Sequence, residues 1–561
     1  MTTEERATKR TKIDSVKSKF QEDLLESSNV ERLSKAFKES KPYLHCKIDK
    51  LVTDDLLRKV RKEIFDNLHF TVKETDIYKV HQTGDLANLD GLPSHELAQL
   101  SSLFELRNAI YSEEFRNFIS SVMGCGPLSG SKMDMSINNY KEGCHLLNHD
   151  DVIGSRRVSY ILYLTDPDKA WNPKFGGALE LYPVIEKGIP ATEPTVVIPP
   201  QWNQFVMFTV QPGHSFHSVE EVVPEGEPRL SISGWFHRPQ VGEPGYSEKK
   251  DAVDEAKSSL EQLQEESDSH AKFAEYSTTL DDDATEGLTE SDLLALAEWM
   301  NPHYLDMTIM SQMSDRFLDE SAVQCKEIIN KDLFAKLQAA TTEADKRDHF
   351  TTQTMATHGT GVGGQWTAHG PPHRCRYLTV DASKDNGDET SSLFLDLQKK
   401  FESESFRRWL AVVTQCIPNG YRGEARRFRP GHDYTLATTN TRGQGVLDVT
   451  LCIANTPDKI SASHWESGEY GGYECYMAPH NEEEDAAVYR AADDDGALLT
   501  LAAGCNELSI VLRDEGVMRF IKYVSARAPG SRWDVSYEYD LPEEDEEDND
   551  DEEEEEDKDN K

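Results

Sequence analysis

The sequence predicts a mainly β protein with flanking helices, built as two tandem copies of one β-sandwich or barrel of which the second is degenerate. Three observations carry this. Residues 41–240 are a dense series of short apolar runs broken by Gly and Pro. A polar stretch follows over 241–287, and order resumes over 288–540. Short motifs of the first half then recur in the second at nearly constant spacing. A chain of 561 residues exceeds what one hydrophobic core supports, so two or three domains are expected.

Residues 1–40 are charged and poor in aromatics, and read as a mobile N-terminal segment. Lys9-Arg10-Thr11-Lys12 inside it is a minimal match to a nuclear import signal, or a solvated patch. The first 15 residues have no apolar core of the kind a secretory signal needs. Helices are expected at 53–67 and 112–123. After them come four β runs: 158–164 (VSYILYL), 178–182 (ALELY), 205–210 (FVMFTV) and 230–236 (LSISGWF). The 241–287 stretch, with its acidic DDD run, reads as a linker. Residues 541–561 form an acidic tail expected to be disordered.

The repeat decides the architecture. Ser101-Ser102-Leu103-Phe104 recurs as Ser391-Ser392-Leu393-Phe394. The run 112–118 (SEEFRNF) recurs as 403–409 (SESFRRW). Continuing the alignment, Gly143 matches Gly431 and Gly176-Gly177 matches Gly471-Gly472. Residues 203–210 match 506–513, and Arg229 matches Arg532. On this spacing His149 falls on Ala437, Asp151 on Thr439 and His217 on Phe520. One half carries a site that the other has lost.

Composition narrows the function. Net charge is -42, and the body of the chain is acidic as well as the tail. Such a surface repels a phosphate backbone and attracts basic partners, so no direct nucleic-acid binding is expected. No run approaches the roughly 20 apolar residues of a membrane span. The 9 cysteines are scattered without a CxxC pair, which fits reduced thiols and argues against a thiolate zinc site.

The chemistry rests on His149-Asp150-Asp151 and His217. In an extended chain residues i and i+2 share a face, so His149 and Asp151 can bind one ion while Asp150 points away. His217, after the FVMFTV run, supplies a second imidazole; His214 competes with it. Two histidines and a carboxylate make the facial triad of non-haem iron(II) oxygenases, which leaves positions open for a 2-oxo acid and dioxygen. Arg229, 12 residues beyond His217, suits the far carboxylate of that acid through a two-bond fork. Tyr140 and Tyr163 flank the HxD strand as further donors.

The segments NHDDVIGSRRVSYILYLTDPD, FGGALELYP, SFHSV and PRLSISGWFH resemble the eukaryotic prolyl hydroxylases that modify the decoding-centre protein of the small ribosomal subunit. In fungi this family includes a prolyl 3,4-dihydroxylase linked to translation termination and an oxygen-sensing regulator of a sterol-response transcription factor. The resemblance spans roughly residues 20–540. It implies two double-stranded β-helix (jelly-roll) domains, catalytic over 41–240 and non-catalytic over 288–540. It also implies iron at His149, Asp151 and His217, and 2-oxoglutarate on Arg229 with Tyr163 and Tyr140. Dioxygen would be consumed, ascorbate would serve as reductant, and residues 78–86 (YKVHQTGDL) would cover the substrate. The expected substrate is a basic small-subunit ribosomal protein, hydroxylated at proline C3 with C4 as a further position. Nucleus and cytoplasm are the expected compartments. The competing reading is an interaction protein whose C-terminal domain binds a transcription factor or another basic partner.

Overall fold

A computed structural model describes residues 16–84, 86, 93–248, 272–440, 444–478 and 496–542. Two curled antiparallel sheets dominate it. The first domain contributes strands β1 His45–Ile48, β2 Thr71–Glu74, β3 Tyr78–Gln82, β4 Met133–Tyr140, β5 His145–His149, β6 Arg156–Tyr163, β7 Leu179–Leu181, β8 Val184–Glu186, β9 Ile189–Pro190, β10 Val196–Ile198, β11 Phe205–Thr209, β12 His217–Val219 and β13 Arg229–His237. Their order in the sheet is β1-β11-β6-β13-β4-β3-β5-β12-β7-β10, with β2 on β3. The second domain adds β14 Ala274–Glu275, β15 Ala322–Lys326, β16 Trp366–His369, β17 Cys375–Val380, β18 Gly420–Phe428, β19 Tyr434–Thr439, β20 Val446–Ala454, β21 Glu474–Met477, β22 Ala497–Leu501, β23 Cys505–Arg513, β24 Met518–Ile521 and β25 Arg532–Asp540. Their order, β15-β23-β20-β25-β18-β17-β19-β24-β21-β22, matches the first sheet strand for strand, and β16 on β17 repeats β2 on β3.

The repeated motifs occupy equivalent places. Ser112 caps the helix Glu113–Met123 by accepting from Phe115 N, and Ser403 caps Glu404–Thr414 by accepting from Phe406 N. Asn203 and Asn506 both take a left-handed backbone, with φ of 63° and 62°. Each turns its side-chain carbonyl onto the main chain just past the edge strand, at Leu51 and Val52 after β1 and at Ile329 after β15. Gly176 and Gly471 are required by close approach. A Cβ would lie 2.0 Å from Glu221 O in one and 1.9 Å from Tyr523 O in the other.

Two boundaries differ from the sequence reading. The segment read as mobile over 1–40 is packed from residue 16 on. Phe20, Leu24, Leu33 and Phe37 are buried in the first core, the last two on one face of the helix Ser27–Glu39. Charged residues on the outer face of that helix dominate its composition and hide the apolar stripe. Within the 241–287 stretch, β14 pairs with β18, so the second sheet takes in residues upstream of 288. Residues 78–82, read as part of a covering loop, are the central strand β3. Lys9–Lys12 and the acidic tail lie outside the described residues. Among the described residues no helix is long and apolar enough to cross a membrane.

The two domains share a core. Tyr78, Val80, Tyr140, Leu147 and Val219 of the first cluster with Tyr434, Leu436 and Tyr523 of the second. Polar contacts surround this core. The buried Glu221 carboxylate accepts from Ser525 Oγ and Ala526 N, both at 2.6 Å, and Lys522 Nζ pairs with Glu74 at 3.1 Å.

Candidate active site

β5 and β12 are hydrogen-bonded neighbours, and their register sets His217 opposite His149. The two rings stand 4.2 Å apart, centre to centre. Each imidazole is oriented from behind. His149 Nδ1 lies 2.9 Å from Leu147 O and His217 Nδ1 lies 2.8 Å from Ser215 O. A carbonyl only accepts, so Nδ1 carries the proton and each Nε2 presents its lone pair to the site. Asp151 completes the group, with Oδ1 3.2 Å from His149 Nε2 and Oδ2 3.4 Å from His217 Nε2. The strand ends at His149, and Asp151 sits beyond it with a left-handed φ of 59°. That conformation, tolerated by Asp, returns the carboxylate toward the imidazoles. Burial pushes the Asp151 carboxyl up, but positive charge on His217 and His149, present when Nε2 as well as Nδ1 carries a proton, outweighs it and holds the acid well below the usual carboxylate range; a cation at the same point would take the place of those Nε2 protons. His149, Asp151 and His217 thus offer three ligand atoms converging on one point, of the nitrogen and oxygen type that suits iron(II). His214 is not among them; it lines a separate cleft with Lys38, Lys41 and Tyr43.

Arg229 opens β13 opposite Tyr140 of β4 and is 1% exposed. Its Nε donates to Gly177 O at 2.6 Å, and Nη1 donates to Ser231 Oγ at 3.3 Å. The guanidinium carbon stands 4.6 Å from the Tyr140 ring centre and 5.0 Å from that of Tyr163. Arg229 Nη2 and the Tyr163 hydroxyl are buried beside each other and meet no other hydrogen-bond partner. Two orphaned donors side by side are costly unless an anion is bound between them, so this end of the cavity fits a carboxylate. Gly177 makes the approach possible, since a Cβ there would lie 3.0 Å from Arg229 Cδ. Tyr140, His149, Asp151, His217 and Arg229 all line one cavity, which links the metal-type and carboxylate-type ends.

Some lining residues escaped the sequence reading. Gln82 and Asn138 reach the cavity from β3 and β4, and Ser159 and Trp235 from β6 and β13. A signal existed in β13: counting by two from Arg229 gives Ser231, Ser233 and Trp235, a polar face in an otherwise apolar strand.

A second group able to bind a cation, Glu180, Glu220 and His358, lies between the domains. Arg376 Nη2 abuts His358 Nδ1, and an arginine only donates. The proton of His358 is therefore on Nε2, which donates to Glu180 and is closed to a metal. Burial and the Glu180 charge push Glu220 up to about 8. Glu220 is thus the carboxyl of this cluster that favours its protonated form.

The second domain shows what replaces the lost ligands, and corrects their alignment. Arg519, not Phe520, takes the place of His217, for it pairs with Thr438 and Tyr476 as His217 pairs with His149 and Leu181. Thr438, not Ala437, then stands for His149, and Asn440, not Thr439, for Asp151. The one-residue slip comes from loop lengths, to which motif spacing is blind. The Arg519 guanidinium fills the space with its own cation. It contacts Glu474 at 2.7 Å and Asp448 at 3.2 Å. Arg532, the counterpart of Arg229, is paired internally with Asp534.

Comparison with known proteins agrees with this geometry. Residues 135–237 match the 2OG-Fe(II) oxygenase superfamily, and residues 291–548 match the family described as oxoglutarate and iron-dependent oxygenase degradation C-term. The chain is 35% identical to the prolyl 3,4-dihydroxylase OGFOD1 of Ostreococcus tauri over 507 residues, covering 89% of this chain and 95% of that protein. The chain belongs to the OGFOD1-type prolyl hydroxylase family. Other members are more distant. The prolyl 3-hydroxylase OGFOD1 of Mus musculus is 26% identical, over 87% of this chain and 85% of its own length. That of Xenopus laevis is 27% identical, over 87% and 84%. As an OGFOD1-type enzyme the chain is an iron(II)- and 2-oxoglutarate-dependent dioxygenase of the prolyl dihydroxylase type.

Proposed function

We propose that this dioxygenase hydroxylates a prolyl residue of a basic small-subunit ribosomal protein at C3, and then at C4. His149, Asp151 and His217 would hold the iron, and Arg229 with Tyr163 and Tyr140 the C5 carboxylate of 2-oxoglutarate. Iron(II) and 2-oxoglutarate, when bound, supply the oxygen activation that turns C–H into C–OH. The chain's own residues do the rest. The two imidazoles and Asp151 gather on one side of the metal position and leave the other side open. Arg229 grips the co-substrate from the far end. Leu146, Ile161 and Val219 line the cavity with apolar surface, while Gln82 and Asn138, whose amides are hydrogen-bonded to each other at 2.8 Å, make its β3–β4 wall polar.

The observation that carries this reading is the juxtaposition of a three-ligand face with Arg229 in one cavity, the arginine's Nη2 lacking an acceptor. The name of the Ostreococcus tauri relative supports the dihydroxylation, and those of the mouse and frog relatives support a hydroxyl at C3. The net charge of -42 supports a basic substrate. We further propose nucleus and cytoplasm as its compartments, with effects on translation termination and an oxygen-linked regulatory role. The test is mass spectrometry of candidate small-subunit proteins incubated with the enzyme, iron(II), 2-oxoglutarate and oxygen. Gain of one or two oxygen atoms on a proline is expected. The substrate KM should also rise with salt; a flat salt response removes the charge argument.

A further inference from the structure

Asp151 is held by more than its two imidazole neighbours. Its Oδ2 accepts hydrogen bonds from Ser159 Oγ at 2.8 Å and from Trp235 Nε1 at 3.1 Å. The two donors stand directly opposite each other, Ser159 on β6 and Trp235 on β13. Neither strand supplies any of the three ligand atoms, so the carboxylate is tied to a part of the sheet independent of β5 and β12. The indole is itself anchored: the Arg156 guanidinium carbon lies 3.5 Å from its ring centre, and Arg156 Nε is 3.6 Å from Asp134.

A carboxylate can bind a cation through one oxygen or both. Two donors on Oδ2 occupy that oxygen's lone pairs and leave Oδ1, the oxygen nearest His149, for the cation. One-oxygen binding keeps a coordination position open that two-oxygen binding would take. We propose that Ser159 and Trp235 are positioning residues which fix Asp151 as a one-oxygen ligand, and so set both the metal affinity of the site and the number of positions it leaves free. This rests on the reading of His149, Asp151 and His217 as the metal ligands.

The second domain supplies an internal comparison. The equivalent opposed pair on β20 and β25 is Asp448 and Glu538. There the residue in the place of His217 is Arg519, and Asp448 pairs with it at 3.2 Å. Asp448 and Glu538 also both pair with Arg513, at 2.9 and 2.6 Å. The same two positions hold donors where a carboxylate must be fixed and acids where an arginine must be fixed. A pair serving only to fill the core has no reason to change sign with the group it faces.

The experiment uses the full chain with Ser159→Ala, Trp235→Phe, the double variant and His149→Ala. Cobalt(II) serves as a spectroscopic probe without 2-oxoglutarate or substrate, so the readout does not depend on turnover. Each single variant is expected to weaken cobalt affinity by about 10–100-fold, the usual effect of removing a partner of a ligand. Visible cobalt absorption should fall per ion as Asp151 turns to bind through both oxygens and raises the coordination number. The 2-oxoglutarate KM at saturating metal should stay within about threefold, and apo melting close to that of the parent. Ser159→Thr, which keeps the hydroxyl, should restore affinity, and it decides the matter if Trp235→Phe fails to fold. Affinity and spectrum unchanged within about twofold in Ser159→Ala and Trp235→Phe, with binding lost in His149→Ala, overturn the positioning role and leave the ligand assignment standing. Cobalt retained by His149→Ala instead overturns the assignment itself.

Discussion

Arg229→Met tests how the co-substrate is gripped. Methionine keeps an unbranched stem of similar length, so packing between Tyr140 and Tyr163 is largely preserved. What disappears is the guanidinium, with its orphaned Nη2 and its Nε bond to Gly177 O. A hydrogen bond to a charged group contributes about 1.5–3 kcal/mol. The forked pair to a carboxylate is therefore worth about 3 kcal/mol after allowing for the Tyr163 hydroxyl, which stays as a donor. At 1.36 kcal/mol per tenfold, the 2-oxoglutarate KM should rise on the order of 100-fold. Arg229→Lys keeps the charge but loses the fork and the Gly177 brace, so about 10-fold is expected. The assay is succinate formation against 2-oxoglutarate concentration at saturating iron, with cobalt binding as a separate check on the metal position. A KM rise below about threefold in Arg229→Met, or a fall in kcat at unchanged KM, refutes the carboxylate role.

Other predictions follow from the same geometry. His149→Ala and Asp151→Ala should each abolish iron-dependent decarboxylation, measured as carbon dioxide release; survival of turnover in either breaks the triad. Arg519→Met removes the nearest cation of buried Glu474 and one of the two on Asp448, which keeps Arg513, and should cost about 3–5 kcal/mol in urea unfolding. Adding Glu474→Gln should recover part of that loss, and no recovery would mean that the guanidinium does not neutralise that carboxylate. Glu220 gives a pH dependence. Burial and Glu180 raise its pKa to about 8 from an ordinary value of 4.5, so the folded state binds this proton more tightly than the unfolded chain. Its contribution is complete below 4.5 and is lost as pH rises through about 8. Glu220→Gln should flatten this part of the stability profile by about 1–3 kcal/mol, seen by melting at pH 5 and pH 8; an unchanged profile would show that Glu220 ionises normally.

Much of the fold could be read because its signals are local. Strands such as 158–164 and 205–210 announce themselves by β-branched and aromatic runs. The Gly176-Gly177 pair, Asn203 and the Ser112 cap recur in the second half because each answers a backbone demand that both copies share. The triad and Arg229 were also legible, since HxD, a later His and an Arg on the next strand are fixed spacings of chemically distinctive residues. Composition misled at the N-terminus, where charged residues around Phe20, Leu24, Leu33 and Phe37 concealed a packed segment.

Sequence by itself thus determined the strands, the duplication and the candidate ligand residues, because each of these is recorded in residue patterns or motifs within short stretches of chain. Only the tertiary structure decided which residues oppose one another across strands. Register placed Arg519 rather than Phe520 in the silent site, set Ser159 and Trp235 on Oδ2 of Asp151, and joined Glu180 to His358 across two domains. Those pairings arise between segments distant in sequence, where packing and loop length fix the alignment and no local pattern records it.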